Sequence, residues 1–150
     1  MQKGPALRKV PFAAPPRPAR MKTKPTVLFI DDDPTMRKVY TVGLAMAGMP
    51  THIVSSSEEA VKILEEKTID VIVTDLMMPG FNGVDLIKAV READYTRHIP
   101  ILVFTSGGNM DLNEQAAQAG STEVMQKHNT PPAKLIERIL KIHAEAPEKK

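Results

Sequence analysis

The most regular feature of this sequence is a series of short apolar runs that are rich in Val and Ile. The five runs cover residues 26–30, 51–54, 70–74, 100–104 and 122–126. Runs of this length are typical of strands that are buried on both faces, as in a parallel sheet. The pattern therefore predicts five parallel strands.

Segments with a helical repeat separate the predicted strands. The first has Asp33 as its expected N-cap, Pro34 at the first helical position and Gly48 near its end. Its apolar positions recur at intervals of three and four residues: Met36, Val39, Tyr40, Gly43, Leu44 and Ala47. Three more helices are predicted over residues 57–67, 83–92 and 110–119.

The last predicted helix has Thr130 as its cap and Pro131 and Pro132 in its first turn. Its expected inner face consists of Leu135, Ile136, Ile139, Leu140 and His143. Five strand–helix units result. Because crossovers between parallel strands are right-handed and a closed barrel needs eight strands, these units predict an open, doubly wound α/β sheet.

Composition narrows the class of protein. The 150 residues are enough for one domain with a core, and a second folded domain is not expected. No apolar stretch approaches the roughly 18 residues needed to cross a bilayer, so no membrane partner is expected. The absence of cysteine excludes disulfides and thiolate chemistry and suits a cytoplasmic location.

Basic and acidic residues are distributed unevenly along the chain. Residues 1–25 carry seven Lys or Arg side chains, no acidic one and six of the 13 prolines. We predict a disordered basic, Pro-rich extension over residues 1–25, a folded domain over 26–146 and a charged tail over 147–150. Two alternatives for the extension stay open, namely a basic arm that contacts nucleic acid and an upstream artefact with Met21 as the true start.

Polar side chains stand immediately after four of the predicted strands. Asp31 and Asp32 follow the first strand, Asp75 the third, Thr105 the fourth and Lys127 the fifth. The carboxyl ends of parallel strands lie along one edge of a sheet, where open α/β folds bind their ligands. Three carboxylates, a hydroxyl and an ammonium group are therefore expected at one site.

The charges of this expected site need compensation. Two like charges at about 4 Å repel by about 4 kcal/mol at an effective dielectric constant near 20, so three clustered carboxylates require a raised pKa or a cation. Lys127 supplies one positive charge, and an oxygen-only ligand set favours Mg²⁺. Such a site can accept a phosphoryl group, because one carboxylate can attack while Thr105 donates a hydrogen bond and the cations offset the developing charge.

These residues also carry a family resemblance over roughly residues 25–144. The matching stretches are residues 27–34, 70–83 with the sequence Asp75-Leu76-Met77-Met78-Pro79, 100–106 and 120–127. Together they resemble the receiver domain of two-component response regulators. The resemblance implies a flavodoxin-like fold, with a five-stranded parallel sheet in the order 2-1-3-4-5; the chemotaxis regulator is a standard example of this order.

The resemblance implies a phosphoryl acceptor and two assisting residues. Asp75 would accept phosphate from the phosphohistidine of a sensor histidine kinase or histidine phosphotransfer protein. Thr105 would hold a phosphoryl oxygen, and Lys127 would pair with the phosphate. The chain would then be a signalling domain that catalyses only its own phosphorylation and dephosphorylation.

The resemblance also implies a set of ligands for Mg²⁺. Asp32 and Asp75 would bind the ion directly, together with the backbone carbonyl of Met77. Asp31 would assist through water. These ligands are all oxygen atoms, as a hard cation prefers.

Two positions depart from the family's pattern. Receiver domains usually follow the lysine with a proline in a cis bond, but His128 follows Lys127 here. A cis bond before another residue costs about 2.5 to 4 kcal/mol, so either the bond is cis under strain or the loop is rebuilt. Val124 stands where many members have an aromatic residue that rotates inward on activation, so that rotor is absent.

Two other functions are compatible with parts of the sequence. Residues 31–35 satisfy the Asp-x-Asp-x-Thr motif of haloacid dehalogenase-like phosphatases, in which Asp31 and Asp33 would carry the chemistry. That family also predicts a late acidic pair, and it leaves Asp75 without a purpose. The third hypothesis is a non-phosphorylated pseudo-receiver that acts as a binding module.

The residues after Lys127 indicate how the expected signal would be passed on. Only 23 residues follow Lys127, and most of them belong to the last predicted helix. We therefore expect a single-domain response regulator without a DNA-binding or enzymatic output domain. It would act through an unidentified downstream protein that contacts its surface.

Overall fold

The computed structural model describes residues 24–78, 82–107 and 110–146. Nearly all of the predicted basic extension and the whole of the predicted tail at residues 147–150 lie outside these ranges. Strands and helices alternate throughout the described ranges. No helix there is long and apolar enough to cross a membrane.

Five strands, five α-helices and one short 3₁₀ turn form in the described ranges. In chain order they are β1 (Val27–Ile30), α1 (Pro34–Met46), β2 (Thr51–Val54), α2 (Ser57–Glu66), β3 (Val71–Thr74), α3 (Gly83–Glu92), β4 (Ile101–Thr105), α4 (Met110–Ala119), β5 (Glu123–Gln126), the 3₁₀ turn (Lys127–Asn129) and α5 (Pro132–Glu145). Neighbouring strands are parallel, in the order β2-β1-β3-β4-β5. The predicted doubly wound fold is confirmed.

Side-chain caps begin the helices that follow β1 and β3. Asp33 Oδ1 accepts hydrogen bonds from the backbone N–H groups of Thr35 at 2.9 Å and Met36 at 3.5 Å, which confirms it as the cap of α1. Asn82 Oδ1 accepts a hydrogen bond from the Asp85 N–H at 3.0 Å and begins α3. Both caps satisfy N–H donors that the first turn of a helix leaves without partners.

The start of α5 differs from the prediction. Pro131 is the cap residue, and it makes no side-chain capping hydrogen bond. The prediction for Thr130 is wrong, because its Oγ1 turns back and donates to the Gln126 carbonyl at 2.7 Å. The inner face also ends differently: Ile142 is buried and His143 is half-buried, as burial favours the apolar side chain.

The sheet separates two apolar layers, because side chains alternate between the faces of a strand. One layer contains Leu28, Ile30 and Ile72 and packs against α2, α3 and α4. The other contains Val27, Phe29, Val71, Val73 and Phe104 and packs against α1 and α5. Every residue of β1, β3 and β4 is buried, as expected for central strands covered on both faces.

The buried face of α1 is narrower than predicted. Tyr40 and Leu44 are buried one turn apart, whereas Val39 is 44% exposed. Val42 and Met46 on the same helix are also exposed. Adjacent residues are rotated by about 100° around a helix, so Val39 lies to the side of the stripe that faces the sheet.

We expect Leu44→Ala to lower the free energy of unfolding by about 2 to 5 kcal/mol, because it leaves a cavity in the layer under α1. Val39→Ala is the matched control on the same helix, and its effect should stay within about 0.5 kcal/mol. Urea unfolding followed by circular dichroism measures both. Equal losses in the two variants would contradict the assignment of the buried face.

Candidate functional site

The ends of β1 and β3 place two carboxylates side by side. Ile30 and Thr74 are paired in register, so Asp31 and Asp75 are the next residues on adjacent strands. The Asp75 N–H donates to the Ile30 carbonyl at 3.1 Å and continues the pairing past the strand ends. Asp31 is 1% exposed and Asp75 is 6% exposed. Two buried carboxylates therefore share the carboxyl edge of the sheet.

Lys127 joins these carboxylates through its ammonium group. Its Nζ lies 2.6 Å from Oδ2 of Asp31 and 2.8 Å from Oδ2 of Asp75. The contact with Asp75 is a hydrogen bond, whereas the contact with Asp31 is an ion pair without the alignment of a hydrogen bond. Because β4 lies between β5 and β3, the lysine side chain has to cross the end of β4 to reach both partners.

Burial and ion pairing act in opposite directions on these groups. Burial raises the pKa of Asp31 above its ordinary value, although Lys127 and the Asp33 N–H oppose the rise. Burial alone would lower the pKa of Lys127, but the close contacts with the Asp31 and Asp75 carboxylates and their negative charges outweigh this effect, so this pKa is raised. The lysine is therefore charged at neutral pH and offsets part of the buried negative charge.

The beginning of α1 fixes Asp31 and keeps Asp33 away from the ion pairs. Asp31 Oδ1 accepts a hydrogen bond from the Asp33 N–H at 2.9 Å, and its carbonyl accepts one from Arg37 Nη1 at 2.8 Å. The Asp33 carboxylate is exposed and caps the helix. The phosphatase hypothesis needs both carboxylates at one reacting centre, so this arrangement counts against it.

Helix α3 begins close to the backbone of Asp75. The Asp75 Oδ1 atom accepts a hydrogen bond from the Leu76 N–H at 2.7 Å and a longer one from the Met77 N–H at 3.5 Å. The Gly83 N–H donates to the Leu76 carbonyl at 2.8 Å. A Cβ atom on residue 83 would lie 2.3 Å from the Asp75 carbonyl oxygen, so only glycine permits this packing.

Asp32 completes an acidic cluster with the two buried carboxylates. One carboxylate oxygen from each of Asp31, Asp32 and Asp75 lies within 4.8 Å of the others, and Asp32 is exposed. Lys127 offers one positive charge against three carboxylates. The excess negative charge and the oxygen-only donors fit a hard divalent cation such as Mg²⁺.

A groove gives access to the exposed side of this cluster. It has a volume of about 430 Å³ and is lined by Asp32, Leu76, Met77, Met78, Asn82 and Leu112. Met77 is 65% exposed in the loop after β3, and the role predicted for its carbonyl stays a prediction. The groove therefore leads from solvent to the one carboxylate of the cluster that is exposed.

Thr105 ends β4 beside the cluster and is buried. Its Oγ1 accepts a hydrogen bond from the Gly107 N–H at 3.3 Å, within its own loop. This contact uses a lone pair of the hydroxyl oxygen, so the O–H group can still act as a donor. The structure brings Asp31, Asp75 and Lys127 into direct contact and places Thr105 at the same edge of the sheet.

The loop after Lys127 is a short turn. No cis peptide bond occurs among the described residues, and Lys127–Asn129 form a 3₁₀ turn. The sequence pattern places Tyr40 only on the apolar face of α1, but in the structure its hydroxyl also donates to the Thr130 carbonyl at 2.6 Å. These residues are 90 positions apart, so no local pattern could have signalled the contact.

The sequence matches known proteins over the part of the chain that builds this site. The response regulator receiver domain family matches residues 27–140. The chemotaxis protein CheY of Pseudomonas aeruginosa is 35% identical over 117 residues, which cover 77% of this chain and 94% of that protein. The chain spans about half the length of other curated relatives that it matches.

Solved structures share the fold. A putative response regulator from Chloroflexus aurantiacus has a TM-score of 0.76 and 29% identity, with 82% of this chain and 100% of that chain covered. A sensor histidine kinase receiver domain from Pseudomonas aeruginosa, with magnesium coordinated in its active-site cleft, has a TM-score of 0.75 and 22% identity at 82% and 100% coverage. Because the matched residues include every strand of the sheet and each charged residue of the site, the chain belongs to the family of response regulator receiver domains.

Proposed function

We propose that Asp75 accepts a phosphoryl group from the phosphohistidine of a sensor histidine kinase or histidine phosphotransfer protein. The observation that carries this proposal is the position of Asp75, buried at the end of the central strand β3 with Lys127 at 2.8 Å. Receiver domains are signalling domains. The only reactions that we assign to the chain are its own phosphorylation and dephosphorylation.

In the proposed transfer, a carboxylate oxygen of Asp75 attacks the phosphorus atom in line with the leaving nitrogen. An O–P bond forms while the N–P bond of the phosphohistidine breaks, and the nitrogen keeps the bonding electrons. Lys127 already contacts the Asp75 carboxylate and offsets charge on the transferred group. The Thr105 O–H donates to a phosphoryl oxygen.

The proposed function includes a magnesium site. Asp32, Asp75 and the Met77 carbonyl would hold Mg²⁺ directly, with Asp31 assisting through water. A bound Mg²⁺ would supply positive charge that offsets the negative charge of the phosphoryl group. The three clustered carboxylates and the related receiver domain with magnesium in its cleft support this assignment.

The organisation of the chain and its output also belong to the proposal. Residues 26–146 would form the receiver domain, and the basic extension at residues 1–25 would lie outside it. The protein would act in the cytoplasm, where a downstream protein would bind its surface in response to phosphate on Asp75. The chain also contains no cysteine, which agrees with a reducing compartment.

We expect Asp75→Asn to abolish phosphoryl incorporation from acetyl phosphate and Mg²⁺, because an amide cannot replace the attacking carboxylate. Asp33→Asn is the matched control, since asparagine also caps helices and residue 33 lies outside the acidic cluster. Mass spectrometry of the intact protein should show one added phosphoryl group in the parent and in the control. Full labelling of Asp75→Asn would exclude this acceptor, and loss of reaction in Asp33→Asn would favour the phosphatase hypothesis.

A second prediction concerns the proposed metal ligands. Asp32→Asn should weaken Mg²⁺ binding by about tenfold or more, because it removes an exposed charged oxygen ligand from the cluster. Isothermal titration calorimetry measures the dissociation constant, and Asp33→Asn again serves as control. An unchanged constant in Asp32→Asn would refute the assignment.

A third prediction concerns the buried charges. Lys127→Met should lower the free energy of unfolding by about 3 kcal/mol without Mg²⁺, because two buried carboxylates lose their shared partner. Adding Mg²⁺ should raise the thermal midpoint of this variant more than that of the parent, as the ion restores positive charge. Lys141→Met, at an exposed position on α5, should match the parent in both measurements. Equal stability of Lys127→Met and Lys141→Met would show that the ion pairs contribute nothing.

A further inference from the structure

The position of the Lys127 side chain depends on the backbone turn that begins at this residue. Lys127 is the first residue after β5, at the far edge of the sheet from Asp31, and it opens the 3₁₀ turn. A change in the direction of this turn would move Nζ away from the carboxylates at 2.6 and 2.8 Å. The groups that hold the turn therefore control the position of the ammonium group.

Thr130 closes the turn with two hydrogen bonds. Its N–H donates to the Lys127 carbonyl at 3.1 Å, and its Oγ1 donates to the Gln126 carbonyl at 2.7 Å. The carbonyl of Thr130 in turn accepts the Tyr40 hydroxyl at 2.6 Å. A continuous set of hydrogen bonds thus connects α1 to the carbonyl groups of the two peptides on either side of the Lys127 Cα atom.

Tyr40 is itself held rigidly. The residue is 4% exposed, and its ring stacks on Phe29 with centroids 5.8 Å apart and meets Phe104 edge to face at 5.0 Å. One turn further along α1, a Cβ atom on Gly43 would lie 2.8 Å from Pro132 Cβ, so α1 and α5 are in close contact here. Burial raises the pKa of Tyr40, which keeps its hydroxyl protonated as a donor at neutral pH.

We propose that Tyr40 is a positioning residue for Lys127: through Thr130, its hydroxyl fixes the turn that directs the lysine at Asp75. The proposal rests on the proposed phosphoacceptor function and adds to it a residue that lies outside the acidic cluster. His128 follows Lys127 here, and the turn carries no cis bond. The tyrosine on α1 supplies a constraint on the loop from a different part of the chain.

The test compares Tyr40→Phe with Tyr95→Phe, which alters the chain's other tyrosine in the segment between α3 and β4. Tyr40→Phe keeps the ring and removes only the hydroxyl. Its phosphorylation by acetyl phosphate at saturating Mg²⁺ should be about fivefold slower than that of the parent, the effect of losing one buried hydrogen bond. Tyr95→Phe should react at the parent rate, and Mg²⁺ affinity should not fall in either variant.

A double-mutant cycle separates positioning of Lys127 from a general loss of structure. In a Lys127→Met background, Tyr40→Phe should slow labelling no further, because the group that it positions is gone. Thr130→Val, which removes the Oγ1 donor but keeps the shape, should slow the parent in the same direction as Tyr40→Phe.

Three results would overturn the inference. These are parent-rate labelling of Tyr40→Phe, equal slowing by Tyr95→Phe, and a full further slowing by Tyr40→Phe in the Lys127→Met background. If the parent protein itself is not labelled on Asp75, the proposed function fails and this inference fails with it. Labelling of the parent on Asp75 followed by any of the three results contradicts the positioning role alone.

Discussion

The Lys127 ammonium group lies between two buried carboxylates and links the ends of three strands. Removing charges from water is costly, and their attraction offsets that cost only when the geometry is close. Lys127 meets this condition at 2.6 Å from Asp31 and 2.8 Å from Asp75. The ends of β1, β3 and β5 must therefore stay in fixed relative positions, although β5 pairs with neither of the other two strands.

The first turns of α1 and α3 contact the ends of β1 and β3 and hold them in place. The cap at Asp33 begins α1 directly behind Asp31, and the Asp33 N–H also binds the Asp31 carboxylate. Gly83 lets α3 begin against the backbone of Asp75, where any side chain would collide with the carbonyl oxygen. The parallel sheet brings the strand ends to one edge, and the first turns of α1 and α3 add a hydrogen-bond donor and close packing there.

Family membership accounts for the fold. Two further features of this chain are the turn after Lys127 and the side chain of Val124. Thr130 closes the turn that begins at Lys127, and its carbonyl accepts a hydrogen bond from Tyr40 on α1. Val124 on β5 packs against the layer of α2, α3 and α4, and its β-branched side chain is stiff at χ1. It cannot rotate as a large aromatic ring does.

The strands, the helices and the residues of the acidic cluster could be predicted from the sequence, because apolar periodicity and strand-end chemistry are local properties of a chain. The sequence also predicted the cap at Asp33, whose partners lie two and three residues away. The sequence predicted Thr130 as the cap of α5 and Val39 on the buried face of α1, and both predictions are wrong. The hydrogen bond of Thr130 to Gln126 and the direction of α1 over the sheet depend on how the chain packs. The packing of the folded chain was needed to show that Lys127 contacts both carboxylates and that the Tyr40 hydroxyl donates to the Thr130 carbonyl. Each of those contacts joins residues at least 52 positions apart, and contacts of that kind form only when helices and strands pack together.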